Sequence, residues 1–102
     1  MEVVVETLIV DEHRIAHIGR HNVTVEEAVE IVSGDHVYIE GHDGRWRLIG
    51  QTAQGRFLTI VVGARESPNT YGLVTARPAR REERSFYHEF IREQGGETDG
   101  ED

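Results

Sequence analysis

Between Arg56 and Gly63 the chain reads Phe57-Leu-Thr-Ile-Val-Val62, broken by a single hydroxyl side chain. A strand with one face in water alternates polar and apolar residues. A nearly unbroken apolar run of this length instead reads as a strand covered on both faces. It therefore demands a sheet with material packed on each side, and it belongs near the centre of that sheet. A chain of 102 residues has room for one such core and no second.

The remaining elements arrange themselves round this strand. Val3 to Val10 is rich in β-branched residues and reads as a strand. Asp11 can cap a short helix running to about Arg20, with Ile15, Ile18, Gly19 and Asn22 inward and His13, His17 and His21 on the other side. Asn22 tolerates the left-handed conformation that ends a helix. Thr24-Val-Glu-Glu27 is a capping box, and Val25, Ala28, Val29 and Val32 form the apolar stripe of a second helix ending at Ser33-Gly34. Strands follow at Val37–Glu40, Trp46–Gln51 and Tyr71–Ala76, parted by Gly41-His-Asp-Gly44, Thr52-Ala-Gln-Gly55 and the loop Arg65–Thr70. In the second of these, Trp46 and Leu48 face one way and Arg45 and Arg47 the other. Pro78 suits the first turn of a last helix, Ala79 to Arg92, with Ala79, Phe86 and Phe90 inward. The order is β-α-α-β-β-β-β-α: an α+β domain over residues 1–92 with a mostly antiparallel sheet. Gly95-Gly96 opens an acidic tail, residues 93–102, with nothing to bury.

Charge is unevenly spread. The net charge is −8, yet the last ten residues hold five acids and no base, so the first 92 carry eleven arginines against fourteen acids, or −3. There is no lysine, so no lysine side chain can act as a base or Schiff-base nucleophile. Four of the eleven arginines, Arg77, Arg80, Arg81 and Arg84, fall at i, i+3, i+4 and i+7, a single stripe if the segment is helical, and Tyr87 continues it. The guanidinium fork matches two oxygens of a phosphate, so the stripe is the candidate anion site. A solvated face with glutamate partners is the plainer alternative.

Other classes find little support. Cysteine is absent, which excludes disulfides and thiolate metal sites and suits a cytoplasmic protein. No apolar run approaches membrane-spanning length. Glu2 and Glu6 flank Val3–Val5 without a basic stretch before them, so the opening residues do not read as a signal peptide. No glycine-rich cradle precedes a helix, so nucleotide cofactors are not expected. His13, His17 and His21 have the spacing to chelate a metal from one helix face, but Asn22 interrupts it and no HExxH accompanies it. Surface histidines without a metal are the expectation.

Three stretches together resemble a known family. They are Val10-Asp11 with His17-Ile-Gly-Arg-His21-Asn-Val-Thr-Val-Glu-Glu27; Leu48-Ile-Gly-Gln-Thr52 with Gly55-Arg-Phe-Leu-Thr59; and Thr75-Ala-Arg-Pro-Ala79 with Glu83-Arg84 and Tyr87. Their order and spacing are similar to those of the BrnT toxins of bacterial toxin–antitoxin systems, which resemble the RelE/ParE superfamily. The resemblance covers roughly residues 8 to 88. It implies a RelE/ParE-like fold, a ribonuclease that inhibits translation, and a cognate antitoxin that neutralises it, with a dimer or a toxin–antitoxin hetero-oligomer as the assembly. The family's functional positions map onto His21, Arg56, Arg77, Arg84 and Tyr87. Glu83 also matches and reads as an internal partner for arginine.

RNA cleavage without a metal uses the ribose 2′-hydroxyl as nucleophile. It needs a proton acceptor, a cation for the phosphate and a proton donor. On this reading Arg77, Arg84 and Tyr87 act at the phosphate, His21 or His17 carries the proton, and Arg56, Arg80 and Arg81 bind RNA. A binding module whose arginine face takes an acidic partner protein is the alternative.

Overall fold

A computed structural model describes residues 3–99, with side chains to Arg92. The elements are β1 (Thr7–Ile9), α1 (Glu12–Gly19), α2 (Val25–Ser33), β2 (His36–Glu40), β3 (Arg45–Gln51), β4 (Phe57–Ala64), β5 (Thr70–Pro78) and α3 (Arg81–Asp99). This is the expected α+β order. The strands make one sheet in the order β1-β5-β4-β3-β2, mixed because β1 pairs parallel to β5 while the other pairs are antiparallel. β4 lies in the middle, as its apolar run requires.

Two cores separate on the two sides of the sheet. Alternate β4 residues Leu58, Ile60 and Val62 join Leu48, Leu73 and Ala76 beneath α1 and α2, which contribute Ile18, Ala28, Ile31 and Val32, with Val23 from the turn between them. The intervening positions face the other way. There Ile49 and Val37 meet Ala79, with Ile39, Phe57 and Tyr87 packed against them below α3. Gly50 lets α2 approach β3: a Cβ there would lie 2.9 Å from the Asp35 carbonyl oxygen and 3.2 Å from Ile31.

Local signals explain the turns. Thr24 and Glu27 form the expected capping box, the Glu27 N–H donating to Oγ1 at 3.1 Å and the Thr24 N–H to the Glu27 carboxylate at 3.0 Å. Asn22 is left-handed at φ 61°. Asp43 and Gly44, at φ 59° and 71°, make the tight β2–β3 turn that matches strand twist.

Several boundaries differ from the sequence reading. Strand pairing at the start is limited to Thr7–Ile9, and Val3 instead enters the α1–α2 core as a packing residue. Ile15 and Val29 are exposed, and the inner stripe of α2 is Ala28, Ile31 and Val32. Asp11 sits at the start of α1, but its side chain makes no capping bond. Pro78 ends β5, opposite Leu58, and does not open the helix. The bonding to β4 skips Pro78, with the Ala79 N–H donating to the Phe57 carbonyl at 2.9 Å, and a strand end tolerates a residue without an N–H. Phe86 and Phe90, expected inward, are exposed, and it is Glu83 and Tyr87 that turn to the sheet. The proposed boundary at Glu93 falls within α3. Side chains 93–99 and residues 100–102 of the acidic tail lie outside the described residues.

Candidate functional site

The arginine stripe does not survive as a single helix face. Arg77 lies on β5, Arg80 precedes α3, and only Arg81 and Arg84 are helical. Placing Pro78 in the strand moved the helix start to Arg81. Arg77 is instead brought to the same region by register, since β5 pairs Arg77 with Thr59 of β4, itself opposite Ile49 of β3.

Glu83 organises this region. It stands in the first turn of α3, is 1% exposed, and faces the strands from above. Arg77 clasps it with two bonds, Nη1 to Oε1 and Nη2 to Oε2, both 2.8 Å. From β3, Arg47 Nη1 reaches Oε2 at 2.8 Å, and from β4 the Thr59 hydroxyl donates to Oε1 at 2.8 Å. The Arg80 N–H donates to Oε1 at 2.7 Å, the glutamate half of a capping box whose hydroxyl half is missing at Arg80. Burial opposes the charged carboxylate. The bonds from Arg77, the Arg80 N–H, Thr59 and Arg47 outweigh burial and hold its pKa far below the usual carboxylate range. The same contact with Glu83 raises Arg77 against the opposing effect of burial. Glu83 is thus the internal arginine partner that its position suggested.

Two positive charges against one negative leave the trio cationic, and Arg47 is the more open of its cations, with 35% of its side chain exposed against 18% for Arg77. Arg45 shares Arg47's face of β3, two residues away, and is exposed. Arg80, Arg81 and Arg84 are exposed at the start of α3, and Arg84 turns back to the Ala79 carbonyl at 3.4 Å. The helix N-terminus adds its partial positive charge.

One turn further along α3, Tyr87 and His88 meet Phe57. The Phe57 ring centroid lies 5.6 Å from that of Tyr87 and 5.1 Å from that of His88, and the Tyr87 and His88 rings are 5.8 Å apart. His88 belongs to no motif in the sequence. Its only signal was adjacency to Tyr87, which acquires meaning once Phe57 is seen beneath both.

His17, His21 and Arg56 belong to the other layer. His17 and His21 pack ring edge to face at 5.4 Å, at the end of α1 and in the turn after it. Arg56 points the same way as Leu58 and is engaged there. Its Nη1 donates to both Glu27 oxygens, at 3.0 and 2.8 Å, and to the Asn22 carbonyl at 2.9 Å. The Thr24 N–H first, with burial opposing and Arg56 assisting, lowers the Glu27 pKa. Arg56 therefore ties α2 to β4. The sheet stands between these residues and the set Arg77, Arg84 and Tyr87, so the expected joining of the two groups is not found. They approach only at the rim, where Arg56 and Phe57 are consecutive. Among the described residues no group of three or more His, Cys, Asp or Glu side chains is arranged to hold a metal, and no helix is long and apolar enough to cross a membrane.

Neither a scan against protein-family models nor a search of curated proteins finds a match to this chain.

Proposed function

We propose that this chain is a metal-independent endoribonuclease of the toxin–antitoxin kind, BrnT-like with a RelE/ParE-like fold, holding RNA on the arginine-bearing sheet face beside α3. The Glu83 network carries the reading. One buried carboxylate orients guanidinium groups from two strands and leaves a cationic surface flanked by Arg45, Arg80 and Arg84. Such a surface suits a phosphodiester, whose two free oxygens match a guanidinium fork.

In the reaction the ribose 2′-oxygen attacks the neighbouring phosphorus. The bond from phosphorus to the 5′-oxygen breaks, giving a 2′,3′-cyclic phosphate and a 5′-hydroxyl. The 2′ proton passes to a base, and the departing oxygen takes a proton from an acid. Arg47 and Arg84 meet the phosphate oxygens, while Arg77, turned inward on Glu83, positions Arg47 through the shared carboxylate. His88 takes the proton-carrying role first given to His17 or His21, because it shares a face with the arginines. Tyr87 supports it and offers a ring on which a base can stack. Such a protein would work in the cytoplasm beside a cognate antitoxin.

A second reading has its own support. Glu83 demonstrates that a carboxylate satisfies Arg47 and Arg77, so an acidic partner segment suits the same surface. Cleavage of bacterial RNA in EDTA separates the two. Wild type should cut; Arg84→Ala and His88→Ala should each lose about a hundred-fold or more, and His21→Ala should keep near wild-type rate. Absence of cutting by all four proteins would favour the acidic-partner reading. Loss of cutting in His21→Ala alone would return the proton to the other face.

A further inference from the structure

Glycine weakens the interior of a strand, and it often marks a place where a ligand or another backbone comes close. β4 holds one such residue, Gly63, and nothing inside the molecule requires it. Its backbone is not left-handed. A Cβ built there would meet nothing nearer than Val74 at 3.7 Å and the stem of Arg45 at 3.9 Å, both ordinary contacts. Gly72, its partner on β5, is different: the Arg65 guanidinium lies over it, and a Cβ would collide with that group.

Pairing sets these residues in one row across the sheet, Arg45 on β3, Gly63 on β4, Gly72 on β5 and Ile9 on β1. Their neighbours Trp46, Val62, Leu73 and Leu8 turn to the α1–α2 core, so the row faces the α3 side. α3 itself packs over β2 and β3, and among the described residues no element covers this end of β4 and β5. Val61, Gly63 and Val74 are left half-buried there, a shallow apolar floor between two cations.

Neither cation is held fast. Arg45 is exposed and, among the described residues, makes no hydrogen bond or ion pair. About two strand spacings, roughly 10 Å, part its backbone from Gly72 beneath Arg65. Arg65 has one acid in reach, Asp11, with Nη2 to Oδ2 at 3.7 Å and the two side chains 42% and 51% exposed. A pair so long and so open to water contributes little and gives way to a better-matched anion. Asp43 and Glu66 stand in the exposed turns that bound the row, and no acid lies within it.

Given that RNA lies at the Glu83 site, as proposed above, we infer that the strand continues from there across Gly63 and Gly72. One phosphate meets Arg45 and a further one meets Arg65, with sugar and base between them on the glycine floor. Bare backbone lets the strand sit low enough for both guanidinium groups to reach it. Arg65 leaves Asp11 for the phosphate, whose two free oxygens match its fork.

The test is the affinity of a 2′-O-methyl octanucleotide, which cannot be cut, over a range of salt. Arg65→Ala should bind it about ten-fold more weakly. Its salt slope should fall by roughly 0.7, one phosphate contact on a single strand. Gly63→Val puts a branched side chain on the floor. Valine suits a strand, so the melting temperature should hold or rise while affinity falls to a similar extent. Asp11→Asn frees Arg65 and should bind at least as tightly as wild type. Weakening in Asp11→Asn equal to that in Arg65→Ala would overturn the inference, because loss of the ion pair would then explain both. Wild-type affinity in either Arg65→Ala or Gly63→Val, beside weakened binding by Arg84→Ala, would overturn this track alone. Absence of both binding and cutting in wild type would overturn the ribonuclease reading and the track with it.

Discussion

Glu83 shows most clearly how one residue can serve fold and site together. Its carboxylate links β3, β4, β5 and the first turn of α3. Removing it leaves Arg47 and Arg77 facing each other without their counter-charge. Glu83→Ala should therefore cost about 3–5 kcal/mol of stability, measured by urea unfolding. Acid should act in the same direction. The pKa is lowered in the folded state, so the stabilisation is complete above the ordinary glutamate value of about 4.3 and is lost as pH falls from there towards the native value. Thermal melts from pH 7 to pH 3 should show wild type losing more stability than Glu83→Gln, whose side chain does not titrate. Parallel pH profiles would remove Glu83 as the linked group. From the sequence the partnership was legible in kind, because a glutamate on the inner side of an arginine-bearing helix needs a cation. Which arginines answer it depends on register across three strands, and local spacing does not encode that.

At the scale of elements, α2 and α3 begin with the same device, complete in one and halved in the other. Thr24 and Glu27 close both bonds of a capping box, and Glu27 also receives Arg56. Thr24→Ala should cost about 1 kcal/mol. Glu27→Ala should cost more, because it also releases Arg56 and, with it, the tie from α2 to β4. A difference of the opposite sign in chemical denaturation would contradict this ranking. Before α3, Arg80 supplies a backbone N–H to Glu83 but no hydroxyl in return. The capping box of α2 was readable as a four-residue motif. The start of α3 was not, because Pro78 is equally acceptable at a strand end and in a helix's first turn. Pairing with Leu58 decided for the strand, and the apparent stripe of Arg77, Arg80, Arg81 and Arg84 dissolved with that choice.

Across the whole molecule the central fact is that the sheet has two different faces. The apolar run of β4 announced that both would be covered, and β4 is indeed the central strand. Sequence could not say which layer each outlying residue joins. Arg56 and Phe57 are neighbours in the chain, yet one braces α2 and the other lies under Tyr87 and His88. On the proposed reading RNA would lie on the α3 side, while Arg56 ties α2 to β4. The most direct measurement is the affinity of a 2′-O-methyl single-stranded RNA, which cannot be cut, over a range of salt for wild type, Arg45→Ala and Arg56→Gln. The α3-side site predicts that Arg45→Ala weakens binding and lowers the salt slope by roughly 0.7, one phosphate contact on a single strand, while Arg56→Gln keeps the wild-type slope. A lowered slope in Arg56→Gln with Arg45→Ala unchanged would place RNA on the α1–α2 side and contradict the account.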